Sequence, residues 1–322
     1  MSLPVCDHYS GVEVRMRKSL ALQADYIARF GACVFDVTLD CEDGAPVGGE
    51  AEHALLVSEL VRDLELSGAV RPRVGVRVHA VDHPAFAADV AQIVGAVGSR
   101  LSHLMVPKVE SLADVERAVQ AVDAAGGREL PVHVLIESAA AVHRAFDIAA
   151  HPRVQSLSFG LMDFVSAHGG AIPSDGMGAV GQFKHPLVLR AKLEIASACH
   201  AHGKVPSHCV VTEFKNPAAM KQAATCAARE LGYTRMWSIH PDQIEPILEA
   251  FAPTTQEVDN AASIILAAVA ADWAPISHQG HLHDRASYRY YWQVLERAHQ
   301  TGCAMPTEAL RFFATDLDRT PA

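Results

Sequence analysis

Apolar residues recur along this chain in two alternating rhythms. Short runs rich in β-branched and aromatic residues read as strands: ACVFDVTLD (32–40), RVGVRVH (73–79), LSHLMVPK (101–108), VHVLIE (132–137), QSLSFG (155–160), KVPSHCVV (204–211) and RMWSIH (235–240). Between them, HALLVSELVRDLEL, AFAADVAQIVGAVG, SLADVERAVQAVDAAG, AAAVHRAFDIAAH, LVLRAKLEIASACHAHG and NPAAMKQAATCAARELG carry apolar residues at helical spacing. Several close on Gly, as a helix C-cap does. Strand and helix alternating in this way build a parallel sheet, and so many units favour a TIM (β/α)8 barrel over an open doubly wound sheet. The eighth strand is expected near the N-terminus, around GVEVRMR (11–17), although RMRKSLALQADYIARFG (15–31) reads mainly as helix.

The alternation stops after IHPDQIEPILEAF. Residues 1–255 are therefore expected to form the barrel catalytic domain and 256–322 a C-terminal helical extension, with helices in TQEVDNAASIILAAVAADW and DRASYRYYWQVLERAHQTG. The aromatic stripe Tyr288, Tyr290, Tyr291 and Trp292 is expected at a subunit interface.

Composition narrows the possibilities. With half its 322 residues apolar and a fifth charged, the chain is globular. A formal charge of −10 and a pI near 6.0 exclude a basic nucleic-acid surface. The run AASIILAAVAA is too short to span a bilayer, and MSLPVCDHYSGVEVRMRKS lacks the apolar core of a signal peptide, so a cytoplasmic protein without a membrane partner is expected. The seven cysteines show no zinc spacing and are odd in number, which fits reduced thiols.

Side chains at the C-terminal ends of barrel strands face the mouth where chemistry occurs. Those ends supply Asp40, Glu42 and Asp43, then Arg77 and His79, then Lys108 and Glu110, and finally Glu137 and Asp163. Carboxylates without partners are costly away from water, so convergence on one ligand would account for them. Glu137 and Asp163 end consecutive strands, leaving room for one hard cation that keeps several waters, as Mg²⁺ does. Arg77 could bind a substrate carboxylate bidentately. The residues alone leave a second reading open: Glu137 and Asp163 are helix-start residues suited to the dipole, and Arg77 and Lys108 pair with the acidic cluster.

The segments LDCEDGAP, VRVH, LMVPKVES, VLIESAAAVHRAFDIAAHPRVQSLSFGLMDF and GYTRMWSIHPDQIEPILEAFAPT occur in this order over roughly residues 32–255. In this the chain resembles the citrate lyase beta-subunit-like and malyl-CoA lyase group of the HpcH/HpaI aldolase superfamily. The resemblance implies a TIM barrel in a homo-oligomer, commonly a trimer or hexamer, with Mg²⁺ (or Mn²⁺) held by Glu137 and Asp163. It implies carbon–carbon bond cleavage or formation on a small 2-oxo or hydroxy acid, as a CoA thioester or free. Arg77 would stabilise enolate or carboxylate oxygens, with Glu42 and Asp43 supporting it and orienting metal waters. Lys108 would be an electrostatic, substrate-side partner, with a Schiff-base lysine as the runner-up. Two rivals stand beside this lyase: a class II pyruvate aldolase that uses no CoA, and a non-catalytic metal- or ligand-binding barrel subunit.

Three segments depart from the group's pattern. The Arg-Ser strand and Pro-Gly turn that open relatives and contribute to their CoA site are not recognisable. His208 in PSHCVV stands where many relatives carry Asp, and is an acid/base candidate. Ala167 and His168 replace an Asp-Leu pair, His168 reading as a loop residue. His278, His281 and His283 fit no closed metal site and read as a solvated loop, while His240 reads as a turn residue before Pro241.

Overall fold

A computed structural model describes residues 3–313, so residues 314–322 of the expected extension lie outside the described residues. Eight parallel strands close into a barrel in chain order, the first pairing with both the second and the eighth. The elements run β1 (Cys6–Ser10), α1 (Glu13–Phe30), β2 (Phe35–Asp40), α2 (Glu50–Arg62), β3 (Val74–Arg77), α3 (Phe86–Val97), β4 (His103–Val106) and α4 (Leu112–Ala124). They continue with β5 (Val132–Ile136), α5 (Ala139–His143), α6 (Ala145–Ala150), β6 (Val154–Phe159), α7 (Leu161–Ser166) and α8 (Pro186–Ala201). The barrel closes with β7 (Val205–His208), α9 (Pro217–Arg229), β8 (Arg235–Ser238) and α10 (Ile244–Phe251). This is the predicted TIM barrel.

The first strand lies elsewhere than expected. GVEVRMR opens α1, with Val12 and Val14 exposed, and the strand is the more polar CDHYS just before it. The reason is the barrel interior, which here is filled with charge. Arg235, fully buried on β8, donates to Asp36 Oδ2 at 2.7 Å and pairs with Asp7 Oδ2 at 3.0 Å. Thr38 Oγ1 donates to Asp7 Oδ1 at 2.7 Å and meets His103 Nε2 at 3.1 Å. The His103 ring stacks on that of His133 at 3.9 Å. Gly75 is required beside them, since a Cβ there would lie 2.1 Å from His103 Nε2. Burial pushes the His103 pKa down to about 3, so both carboxylates are balanced by Arg235 and Arg73 rather than by imidazolium.

Beyond the barrel, α11 (Thr255–Ala270) starts on a capping box of Thr254 and Glu257. A two-stranded hairpin, β9 (Ile276–His278) and β10 (His281–His283), and helices α12 (Arg285–Gln300) and α13 (Thr307–Leu310) follow. These pieces share their own apolar cluster of Ile265, Tyr288 and Leu295. The aromatic stripe divides accordingly. Tyr288 is buried with its hydroxyl on Ala274 O, Trp292 packs on Phe312 and Phe313, and of the four only Tyr290 is largely exposed. Most of the stripe thus serves this chain's own packing. No helix among the described residues is long and apolar enough to cross a membrane.

Removing one member of a buried ion-pair group strands its partners' charges, so Arg235→Met is expected to cost about 3–5 kcal/mol. Urea unfolding checks this, and a loss under about 1 kcal/mol would show that the barrel floor does not depend on the pair.

Candidate active site

Asp40 ends β2 and Arg77 ends β3, paired in register at the barrel mouth. The Arg77 side chain is almost fully buried and its donors are nearly all engaged. Nε donates to Asp40 Oδ1 at 2.6 Å, Nη1 meets Glu42 Oε2 at 2.9 Å, and Nη2 donates to Asp43 Oδ2 and to the Tyr9 hydroxyl, each at 2.8 Å. The guanidinium carbon lies 4.9 Å from the centre of the Tyr9 ring. Tyr9 in turn donates its O–H to Asp40. The loop after β2 wraps onto the same carboxylate, with the N–H groups of Glu42 and Gly44 donating to Asp40 at 3.0 and 2.7 Å. Gly44 permits this, because a Cβ would fall 2.3 Å from the Gly11 carbonyl oxygen. Burial opposes its charge, but Arg77 outweighs it and holds Asp40 below the usual carboxylate range.

Glu42 carries the network onward. Its Oε1 lies 2.7 Å from Lys108 Nζ. Lys108 follows β4 in a left-handed conformation, φ 52°, unusual for a residue with a Cβ. That turn aims its N–H at Glu137 Oε2, 2.8 Å away. Glu137 follows β5 and is buried, with Gly160 leaving the room it needs: a Cβ at Gly160 would lie 2.3 Å from Glu137 Oε1. Asp163 sits, exposed, in the first turn of α7. Glu110 faces away from the cluster, accepting from Ser138 Oγ at 2.7 Å.

Six predicted residues, Glu42, Asp43, Arg77, Lys108, Glu137 and Asp163, thus gather at one mouth. The Glu137 pKa is raised to about 7 by burial first, then by the charges of Asp163 and Glu42. Two carboxylates crowded so that one resists ionisation are a donor set that a divalent cation would relieve, and they fit Mg²⁺. Glu42 and Asp43 both pair with Arg77, the support expected of them, and Glu42 pairs with Lys108 as well. Arg77 retains one unengaged N–H, so a bidentate grip on substrate requires Asp43, which is 72 % exposed, to swing away.

His208 is not brought to this mouth. Its neighbour Ser207 is in register with Arg235, whose side chain points into the barrel, so His208 faces outward. There it is fully buried, stacked on Phe183 and edge-on to Tyr233, and burial together with Lys192 holds it neutral. That placement removes it from the acid/base candidates. His168 and His240 behave as local turn residues, bonded to Phe164 O and to the Asp242 N–H. Sequence reading missed Tyr9 because it misplaced β1; the alternation of Cys6, His8 and Ser10 with Asp7 and Tyr9 was the available signal.

A second gathering of donor atoms, Asp7, His103 and His133 within 4.8 Å of one another, lies inside the barrel. Its imidazoles are stacked nearly parallel, so their lone pairs do not converge, and Arg235 already balances Asp7. It serves the polar interior rather than the mouth.

The family model of HpcH/HpaI aldolase/citrate lyase matches residues 20–241. The chain belongs to that family. Among curated relatives, this member is 30% identical over 282 residues to an L-malyl-CoA/beta-methylmalyl-CoA lyase of Cereibacter sphaeroides, covering 81% of this chain and 86% of that one. It is 31% identical over 254 residues to a citrate lyase subunit beta-like protein of Deinococcus radiodurans, covering 77% and 83%. These relatives are carbon–carbon lyases by name, and the enzyme class expected for this chain stands with them. A crystal structure of a citrate lyase from Burkholderia xenovorans is 50% identical, with a TM-score of 0.79, covering 97% of this chain and 96% of that one. A Mycobacterium tuberculosis CitE structure in complex with magnesium, acetoacetate and coenzyme A has a TM-score of 0.66 over 92% of this chain and 98% of that one; at 21% identity it shares the fold.

The Glu137 shift predicts a pH signature in the metal-free lyase. A folded pKa near 7 against an ordinary 4.5 means that Glu137 weakens the fold as pH rises through that window. Glu137→Gln should therefore gain stability relative to the native chain between about pH 5 and about pH 8, by about 2–3 kcal/mol. Urea midpoints in chelator check this; an equal gap at both pH values would contradict it.

Proposed function

We propose that this protein is a Mg²⁺-dependent carbon–carbon lyase that cleaves a hydroxy-acid thioester of the malyl-CoA type by a retro-aldol or retro-Claisen step. The observation that carries the reading is the continuous chain from Arg77 through Glu42 and Lys108 to Glu137, which sets two fixed cations beside a crowded carboxylate pair. The names of the curated relatives support the thioester.

Bond cleavage leaves an electron pair that must settle on an oxygen, and charge fixed in advance stabilises it without reorganisation. The unengaged N–H of Arg77 and the ammonium of Lys108 supply that charge. Burial works against the Lys108 cation, but the hydrogen bond and charge of Glu42 raise its pKa. A lysine kept protonated in this way is poorly suited to form a Schiff base, which requires the free amine. Glu137 and Asp163 would hold the divalent ion, which when bound supplies Lewis-acid polarisation of substrate oxygens. Asp40 and Tyr9 hold the guanidinium in place while Asp43 is free to yield to substrate. The reading includes assembly as a homo-oligomer, for which exposed Val47 and Leu282 offer apolar surface.

With malyl-CoA and Mg²⁺ the chain is expected to release glyoxylate and acetyl-CoA, read as glyoxylate hydrazone. Arg77→Lys should lower kcat/KM by about 10²–10³-fold with the fold retained by circular dichroism. Cleavage of free 2-oxo acids alone, without thioester turnover, would instead establish the CoA-independent aldolase. An Arg77→Lys chain as active as the native one would remove the guanidinium from the mechanism.

A further inference from the structure

Where the C-terminal extension meets the barrel, a cavity of about 270 Å³ opens between α8, α9, α11 and α12. Its wall includes Gly232, Tyr233 and Thr234, the turn that leads into β8, so it lies at the N-terminal ends of the strands, opposite the mouth. Two guanidiniums line it, and they are not equally provided for. Arg229, at the end of α9, bonds Glu257 with Nη1–Oε1 at 3.0 Å and Nη2–Oε2 at 3.3 Å, and donates to the Ala252 carbonyl at 3.2 Å. Arg297, in the last turn of α12, is partly buried, and among the described residues its side chain makes no hydrogen bond and no ion pair. Glu257 is the one carboxylate among the lining residues, and it is already committed, since its Oε2 also accepts the Thr254 N–H at 2.7 Å in the capping box of α11. Glu296 adjoins Arg297 in sequence, but consecutive positions on a helix do not face one another. Burial and the charge of Arg229 both act against the Arg297 cation and lower its pKa from the ordinary value.

We infer that this cavity is a binding site for a small organic monocarboxylate with an apolar body, held by Arg297 and separate from the barrel mouth. Charge decides the ligand class. The guanidiniums outnumber the carboxylates on the wall by one, so a single negative charge completes the balance and a dianion such as phosphate overshoots it. The planar fork of an arginine with all its donors unengaged matches a carboxylate bidentately. The remainder of the wall decides the body of the ligand. Ala228, Phe251, Pro253 and Val294 present carbon, and the largely exposed Tyr290 adds an aromatic ring at the rim. Such a ligand would bridge Arg297 on the extension to the barrel's α9, and nothing in its recognition draws on Arg77, Glu137 or Asp163.

Calorimetric titration of the full chain with benzoate, with its uncharged isostere benzamide and with inorganic phosphate tests the assignment. Benzoate is expected to bind saturably, and benzamide and phosphate at least about tenfold more weakly. Arg297→Gln should weaken benzoate by at least about tenfold with an unchanged circular dichroism spectrum. Tyr290→Ala, a change at an exposed position that leaves both guanidiniums in place, should weaken it severalfold. Because Arg77 is a second guanidinium that a carboxylate could seek, Arg77→Lys is titrated in parallel and should leave benzoate affinity as it is. No benzoate binding, binding that survives Arg297→Gln, binding lost in Arg77→Lys, or equal affinity for benzamide or phosphate overturns the assignment. The readout needs no turnover, so a chain that cleaves no thioester yet binds benzoate through Arg297 would refute the catalytic reading and leave this site standing.

Discussion

A guanidinium taken almost wholly out of water must be compensated, and the mouth of this barrel is organised around that requirement at Arg77. Asp40, Glu42, Asp43 and the Tyr9 hydroxyl surround it, drawn from the ends of β1 and β2 and the loop between β2 and α2. Because Glu42 also bonds Lys108, and the Lys108 backbone bonds Glu137, fixing Arg77 positions a carboxylate two strands away. The left-handed turn at Lys108 is the local strain that this linkage imposes.

The barrel separates its charges into two levels. On the floor, Arg235 and Arg73 balance the buried carboxylates of Asp7 and Asp36, a structural arrangement. At the mouth the balance is incomplete. Glu137 and Asp163 repel one another, and one N–H of Arg77 remains unengaged, so charge there is poised for a partner from solution. The same fold thus keeps one charged layer for stability and one for chemistry.

Seven strands were legible as β-branched runs because they face apolar helices on their outer side. The first was not, since CDHYS owes its polarity to the floor and the mouth: Asp7 serves Arg235 and Tyr9 serves Arg77. GVEVRMR carries the β-branched residues that suggest a strand, but they lie exposed where α1 begins. The charged residues of the site could be read from their positions at strand ends, and the family from their order. Their pairings could not, because a lysine gives no sign in sequence that it will adopt a positive φ. His208 was a candidate because relatives carry Asp there, and strand parity, which turns it from the barrel interior to the helix layer, was not weighed.

The account stands or falls on whether the mouth holds a divalent ion. Calorimetric titration of Mg²⁺ in the presence of oxalate, with the native chain and a Glu137→Gln/Asp163→Asn double variant, tests it most directly. Saturable binding by the native chain that vanishes in the folded variant is the predicted result. Absence of binding in the native chain, or its persistence in the variant, would contradict the account.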